Sequence, residues 1–282
     1  DIIVKLALVT GAIIRILPSL NKIIHAYNTR KYAMPSVVGV LSFSKRLKIK
    51  NLLNDNKPQK FKDKILISKI RFNYKNKMGK QLIFDNLNLK IKKGDKISII
   101  GDSGSGKSTF IDIILGFLLP EKGKITVDGS SIKNKFFNNI ISYCPQYIYI
   151  FDKSIEKNIS LENQLEHIDM RKITKLKKIC CLNNFTNSKK NKGLLGEGGL
   201  KISGGQKQRI GIARALYFNR EILILDESLN AIDFKTSKKI LRNILNNYPH
   251  LTIILVTHSQ ALAKMTKKIY TIKDKKLQLN IE

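Results

Sequence analysis

Cysteine and acidic side chains are the scarce residues of this chain. Three cysteines stand at positions 144, 180 and 181. An odd number, with two adjacent, rules out a fully paired disulfide framework and offers no metal-ligand spacing, which fits structural thiols in a reducing compartment. Cys144, inside an apolar strand pattern, reads as a small buried residue. Only 21 aspartates and glutamates stand against 52 lysines and arginines, so the formal net charge is +31. Such a balance would suit nucleic acid or an anionic membrane face. The lysines, however, are spread over the whole length among isoleucines and asparagines, which reads as a compositional bias rather than one basic patch. Nucleic acid is therefore not the expected partner. Internal repeats are absent, and so are the basic start and small-residue cleavage site of a signal peptide.

What is present is enough for a large core, since 43% of the 282 residues are hydrophobic. An apolar run, Ile2 to Leu17, opens the chain and carries Lys5 and Arg15. It is shorter than the ~20 residues of a membrane-spanning helix. Two readings stand: the inner end of a span, with Arg15 snorkelling to the interface, or an amphipathic core helix. Pro18 and Ser19 are expected to end or kink this run, with an apolar pattern restarting over Met34 to Leu41. From Ser44 to Lys64 the composition turns to Lys, Asn, Asp and Gln, as in a solvated linker. The boundary is placed near Asn56, giving a first unit over 1–55 and a second over 56–282.

In the second unit, Ile65 to Tyr74 and Leu82 to Ile91 alternate apolar and polar residues, as half-buried antiparallel strands do, with their turn near Met78 to Gln81. Apolar runs at Lys96 to Ile100, Ile222 to Leu225 and Thr252 to Thr257 read as buried parallel strands. Shorter strands are expected over Lys124 to Asp128 and Ile140 to Tyr143. Lys107 to Gly116 and Ser237 to Asn247 read as helices, and Asp152 to Phe185 as a mostly helical insertion. The class is α/β, with an antiparallel β part in front and a helical part inserted.

The chemistry begins after Ile100. Gly101, Asp102, Ser103, Gly104, Ser105 and Gly106 run into Lys107, Ser108 and Thr109, a phosphate loop between strand and helix. The glycines let backbone amides converge on phosphate oxygens, Lys107 reaches the outer phosphates, and Ser108 can ligate Mg2+. Asp226 and Glu227 end an apolar strand, where ligands sit in a parallel sheet. Asp226 would hold the metal through water and Glu227 would act as general base on the attacking water. His258 ends the next apolar strand and could orient that water. Gln146 ends another strand and offers its amide to the metal or the water, and Tyr74 could stack on adenine.

The phosphate loop, Gln146 in YCPQ, ISGGQKQR, ILILDE and His258 together resemble the nucleotide-binding domain of ABC ATPases over about Ile65 to Glu282. The resemblance implies a P-loop NTPase core with an antiparallel β subdomain and an inserted helical subdomain, preceded by the end of a transmembrane helix. It implies ATP and Mg2+ as cofactors and a head-to-tail pair of such domains, here a homodimer. In that pair Ser203, Gly204, Gly205 and Gln206 serve the partner's ATP. Gly196, Glu197 and Gly199 match the exporter-type segment that senses the membrane domain. Asn230 departs from the common serine at the start of the D-loop, Asn230 to Asp233, and Ile202 replaces a common leucine. The stretch Arg15 to Val37 is similar to the last membrane helix of bacterial flippases for lipid-linked oligosaccharides. A transmembrane domain upstream in the same chain, a cytoplasmic-membrane location with this domain on the cytoplasmic side, and export or flipping of a lipid-linked saccharide are what this implies. A soluble ABC-type ATPase acting on nucleic acid or ribosomes is the alternative.

Overall fold

The computed structural model describes residues 1–46, 60–76, 79–131, 140–183 and 193–280. The chain divides into two compact units, Asp1–Lys57 and Pro58–Glu282. The first holds one helix, α1 (Ile2–Arg46), with Pro18 and Pro35 inside it. Of the two expectations at Pro18, an end or a kink, the end is corrected: the helix runs on. A proline removes one backbone donor and crowds the carbonyl one turn earlier, a local cost of about 3 kcal/mol that a long apolar helix can absorb. Within Ile2–Phe43 the mean hydropathy reaches 1.9 over 18 residues, with none of that stretch buried. By length and composition it can cross a membrane, so the apolar stretch is not limited to Ile2 to Leu17. At about 1.5 Å per residue it is also longer than the ~30 Å hydrocarbon core.

In the second unit, part of the segment whose composition reads as linker is built into the fold. Phe61 is fully buried, and the backbone N–H groups of Lys62, Asp63 and Lys64 donate to the Asp128 carboxylate at 2.7, 2.9 and 2.9 Å. Most of the rest of that linker lies outside the described residues. The chain then forms β1 (Lys64–Asn76) and β2 (Gly79–Lys92), followed by β3 (Lys96–Ile100) and α2 (Lys107–Leu115). Next come β4 (Lys122–Val127), β5 (Ser130–Ser131), β6 (Ile141–Cys144), α3 (Ile155–Ser160) and α4 (Met170–Ile179). The last third holds α5 (Gly204–Tyr217), β7 (Ile222–Asp226), α6 (Phe234–Asn247), β8 (Thr252–Val256), α7 (Gln260–Ala263), β9 (Lys268–Lys273) and β10 (Lys276–Asn280). The β1/β2 ladder pairs Asn76 with Gly79, so residues 79–81 belong to a strand and not to the expected turn. α6 starts three residues earlier than its apolar spacing suggests, because Asp233 caps it by accepting from Thr236 N–H at 2.9 Å.

Four strands make an antiparallel sheet in the order β2-β1-β4-β5, and six make the central sheet in the order β10-β9-β3-β8-β7-β6. All central pairs are parallel except β10 with β9. The central strands alternate between two cores. Ile222, Ile224, Ile254 and Val256 pack with α2 and the antiparallel sheet, while Leu223, Leu225, Ile253 and Leu255 pack with α3 to α6. A strand covered on both faces needs apolar residues at every position, hence the unbroken runs. Cys144 is buried in β6, and burial pushes its thiol up to about 12, so it stays a neutral packing group. β9 pairs with β3 and widens the central sheet.

Candidate active site

The loop after β3 is held open by its own backbone. Gly106 caps α2 at φ 104, and among the described residues that start has no side-chain cap hydrogen bond. A Cβ at Gly106 would lie 2.8 Å from Ile83 Cγ2 and 3.0 Å from Phe84 Cζ, so only glycine fits both the left-handed φ and the space. Lys107 is buried, and its ammonium donates to the carbonyls of Gly101 and Asp102 at 3.0 and 2.9 Å. Burial pulls its pKa below the ordinary lysine value, against the carboxylates of Glu227, Asp102 and Asp226. Ser105 Oγ is buried without a hydrogen-bond partner among the described residues. An orphan hydroxyl, uncapped helix N–H groups and a buried cation fit an anionic ligand of several oxygens, such as the phosphates of a nucleotide.

Three strand ends converge beside this loop. β7 delivers Asp226 and Glu227, the segment after β6 brings Gln146, and the segment after β8 brings His258. Glu227 sits at φ 48, a strained left-handed conformation for a non-glycine residue, with its N–H donating to Val256 O at 3.0 Å. Its carboxylate is crowded with partners. Oε1 lies 2.9 Å from His258 Nε2 and 3.9 Å from Lys107 Nζ, and Oε2 accepts from Gln146 Nε2 at 3.0 Å and from Asn230 Nδ2 at 3.4 Å. Asp226 is buried and accepts a hydrogen bond from the Tyr143 hydroxyl at 3.0 Å. Burial raises its carboxyl above the ordinary value, and the Tyr143 bond only partly opposes this.

Among the described residues no three His, Cys, Asp or Glu side chains form a metal cage. Ser108, Gln146 and Asp226 each offer a hard oxygen of the kind that suits Mg2+, an ion that keeps waters and takes its remaining ligands from phosphates. Tyr74 reaches the same region from β1, its hydroxyl 3.2 Å from Thr109 Oγ1 at the start of α2 and its ring edge-on to Phe72.

The second glycine motif lies elsewhere. Ser203 caps α5 in a capping box: Gln206 N–H donates to Ser203 Oγ at 3.3 Å and Ser203 N–H to Gln206 Oε1 at 2.7 Å. Gln206 is thereby committed to the helix start. Ser203, Gly204 and Gly205 line a cleft with Arg209, Ala231, Ile232 and Asp233, and none of the Lys107 loop lines it. A Cβ at Gly205 would stand 3.0 Å from Ala231 O, which explains the glycine by close packing of α5 on that turn. Gly196 N–H donates to Asp152 Oδ1 at 2.7 Å, and Gly199 packs on Ile150, so the Gly196 to Gly199 segment sits against the stretch that follows Gln146.

Two contributors went unread in the sequence, and a third, Asn230, was noted there only as a departure from a common serine. Tyr143 holds Asp226, Gln208 donates from α5 to Gln146 O, and Asn230 touches Glu227. The available signal was position alone: Tyr143 three residues before Gln146, Gln208 a buried glutamine in an apolar helix, and Asn230 a departure from a common serine.

Residues 84–230 match the ABC transporter family model. The chain is 34% identical over 218 residues to the alpha-hemolysin translocation ATP-binding protein of Escherichia coli, covering 76% of this chain and 30% of that protein. It is 31% identical over 226 residues to the ATP-dependent lipid A-core flippase of Desulfotalea psychrophila, covering 77% and 38%. Among solved structures, a bacterial Atm1-family ABC exporter with ATP bound is similar with a TM-score of 0.68 and 27% identity, over 76% of this chain and 38% of that one. The chain thus spans about a third of the length of these curated relatives. With the family model matched over half of its residues, the chain belongs to the ABC transporter family and carries that family's ATPase domain.

Proposed function

We propose that this domain binds ATP with Mg2+ and hydrolyses it to power export or flipping of a substrate across the cytoplasmic membrane, working from the cytoplasmic side. The observation that carries this reading is the Glu227 carboxylate, 2.9 Å from His258 Nε2 and 3.9 Å from Lys107 Nζ. A base, its orienting imidazole and a phosphate anchor stand at one sheet edge.

On binding, Lys107 exchanges the carbonyls of Gly101 and Asp102 for the outer phosphates, joined by the free N–H groups at the start of α2. Ser108, Gln146 and Asp226 would hold Mg2+, which would supply neutralisation of the phosphate charge. Tyr74 stacks on adenine. Glu227 takes a proton from water, whose oxygen attacks the γ-phosphorus as the bond to the bridging oxygen breaks; His258 holds the base in line. Ser203, Gly204 and Gly205 face the γ-phosphate of a second copy, so hydrolysis is a property of a head-to-tail homodimer. Closing and opening of the pair moves a transmembrane domain in the same polypeptide by population shift. The long exposed apolar helix α1 supports attachment to a membrane.

The similarity of Arg15 to Val37 to oligosaccharide flippases, and a relative named for flipping lipid A-core, support a lipid-linked saccharide as cargo. The test is flipping of a fluorescent lipid-linked oligosaccharide in vesicles carrying the complete transporter. Flipping that requires ATP and stops in Glu227→Gln supports the reading; ATP turnover unaffected by Glu227→Gln overturns it. The +31 charge supports one competing reading, an ATPase acting on nucleic acid. It predicts stimulation by nucleic acid that falls steeply between low and physiological salt.

A further inference from the structure

We infer that Asn230 is a positioning residue for Glu227, fastening the general base to the turn that follows β7; this rests on the role proposed above for Glu227. Residues 227 to 230 close a turn in which Asn230 N–H donates to Glu227 O at 3.0 Å, and the Asn230 side chain folds back so that Nδ2 lies 3.4 Å from Glu227 Oε2. The two oxygens of the base are shared unequally. Oε1 faces His258 and, farther off, Lys107, while Oε2 has two amide donors, Gln146 and Asn230. Of these two donors only Asn230 is also bonded to Glu227 through its backbone, so it is the one that keeps the carboxylate plane fixed to the turn.

The chemistry of the position is specific. A serine, one atom shorter, does not reach across a 3.4 Å gap that the asparagine amide only just closes. An aspartate has the same shape but offers an acceptor to an acceptor. The turn is itself anchored, because Leu229 is buried, Ser237 Oγ donates to Leu229 O at 3.0 Å, and Gly205 packs on Ala231 O. Asn230 therefore links the base to a fixed piece of backbone at the cleft lined by Ser203, Gly204 and Gly205. It is exposed, so its substitution leaves the core intact.

The experiment uses the full chain in detergent, with Asn230→Ala, Asn230→Ser and Asn230→Asp. The expected result is a kcat for Mg-ATP hydrolysis lowered about tenfold in Asn230→Ala and Asn230→Ser, as for loss of one hydrogen bond to a charged group, and lowered further in Asn230→Asp. KM for ATP stays within about twofold, because the contact is not to the nucleotide. A second readout needs no nucleotide: amide hydrogen exchange of residues 228–233 rises in Asn230→Ala and equally in Glu227→Ala, with no further rise in the double variant. Wild-type kcat and wild-type exchange in Asn230→Asp would overturn the inference. Turnover that persists in Glu227→Gln overturns instead the role assigned to Glu227, whatever the Asn230 variants do.

Discussion

Glu227 Oε1 and His258 Nε2 lie 2.9 Å apart although 31 residues separate them in the chain, because β7 and β8 are parallel neighbours that end level with each other. The pairing makes the first prediction. Glu227→Gln keeps the shape but removes the base, so kcat falls by about 10²- to 10⁴-fold while ATP binding persists. His258→Ala leaves the base in place but unoriented, for a loss on the order of tenfold or more. Steady-state turnover beside equilibrium binding of a fluorescent ATP analogue separates the two effects.

The Tyr143 hydroxyl is the donor on Asp226 Oδ2 at 3.0 Å. In Tyr143→Phe the buried carboxylate loses that partner and its fixed orientation. The Mg2+ concentration for half-maximal turnover should rise about tenfold or more, with little change in ATP binding measured without metal. An unchanged Mg2+ dependence would remove Tyr143 from the site.

Gly106 combines a left-handed φ of 104 with a Cβ position 2.8 Å from Ile83 Cγ2. Gly106→Ala must shift β2 or the loop. Nucleotide affinity should fall by tenfold or more, on the scale of 1 to 3 kcal/mol of backbone strain. Titration with ATP measures the loss, and circular dichroism shows whether the rest of the fold survives.

Asp128 tests an acid-sensitive clasp away from the site. Burial pushes its carboxyl up, but the N–H donors of Lys62, Lys64 and Asp63 outweigh it and hold the group below its ordinary 3.8. A depressed carboxyl gives stability that is full above the ordinary value and is lost as pH falls through the folded one. Asp128→Asn should therefore unfold more easily than the parent at pH 7, by about 1 kcal/mol at this exposed position. The two should converge below pH 3.8, as denaturant melts at several pH values would show.

Much of the site was legible because its chemistry is local. Gly101 to Thr109 form a loop whose residues are neighbours in sequence, and Ser203 with Gln206 close a capping box across one turn. Asp226, Glu227 and His258 were readable as strand ends, but an acid or an imidazole after an apolar run has commoner structural meanings, and only the glycine loop beside them in the pattern gave them a chemical one. Tyr143 and Gln208 were not readable, since each acts through a partner chosen by packing, and Asn230 stood out only as a departure from serine, without the partner that it meets. The turn at 79–81, the linker reading at Phe61 and the helix end offered as one option at Pro18 did not hold, for a related reason. Local propensity is weaker than a long strand ladder, a three-donor clasp on a distant carboxylate, or a helix with many turns on either side.

The sequence by itself determined the phosphate loop, the apolar strands and the caps, because these depend on backbone conformation and periodicity within a few residues. Only the tertiary structure decided which strand lies beside which, and so which side chains meet at Glu227. Strand order is set by which apolar faces cover one another across two cores, and that is a property of the whole domain.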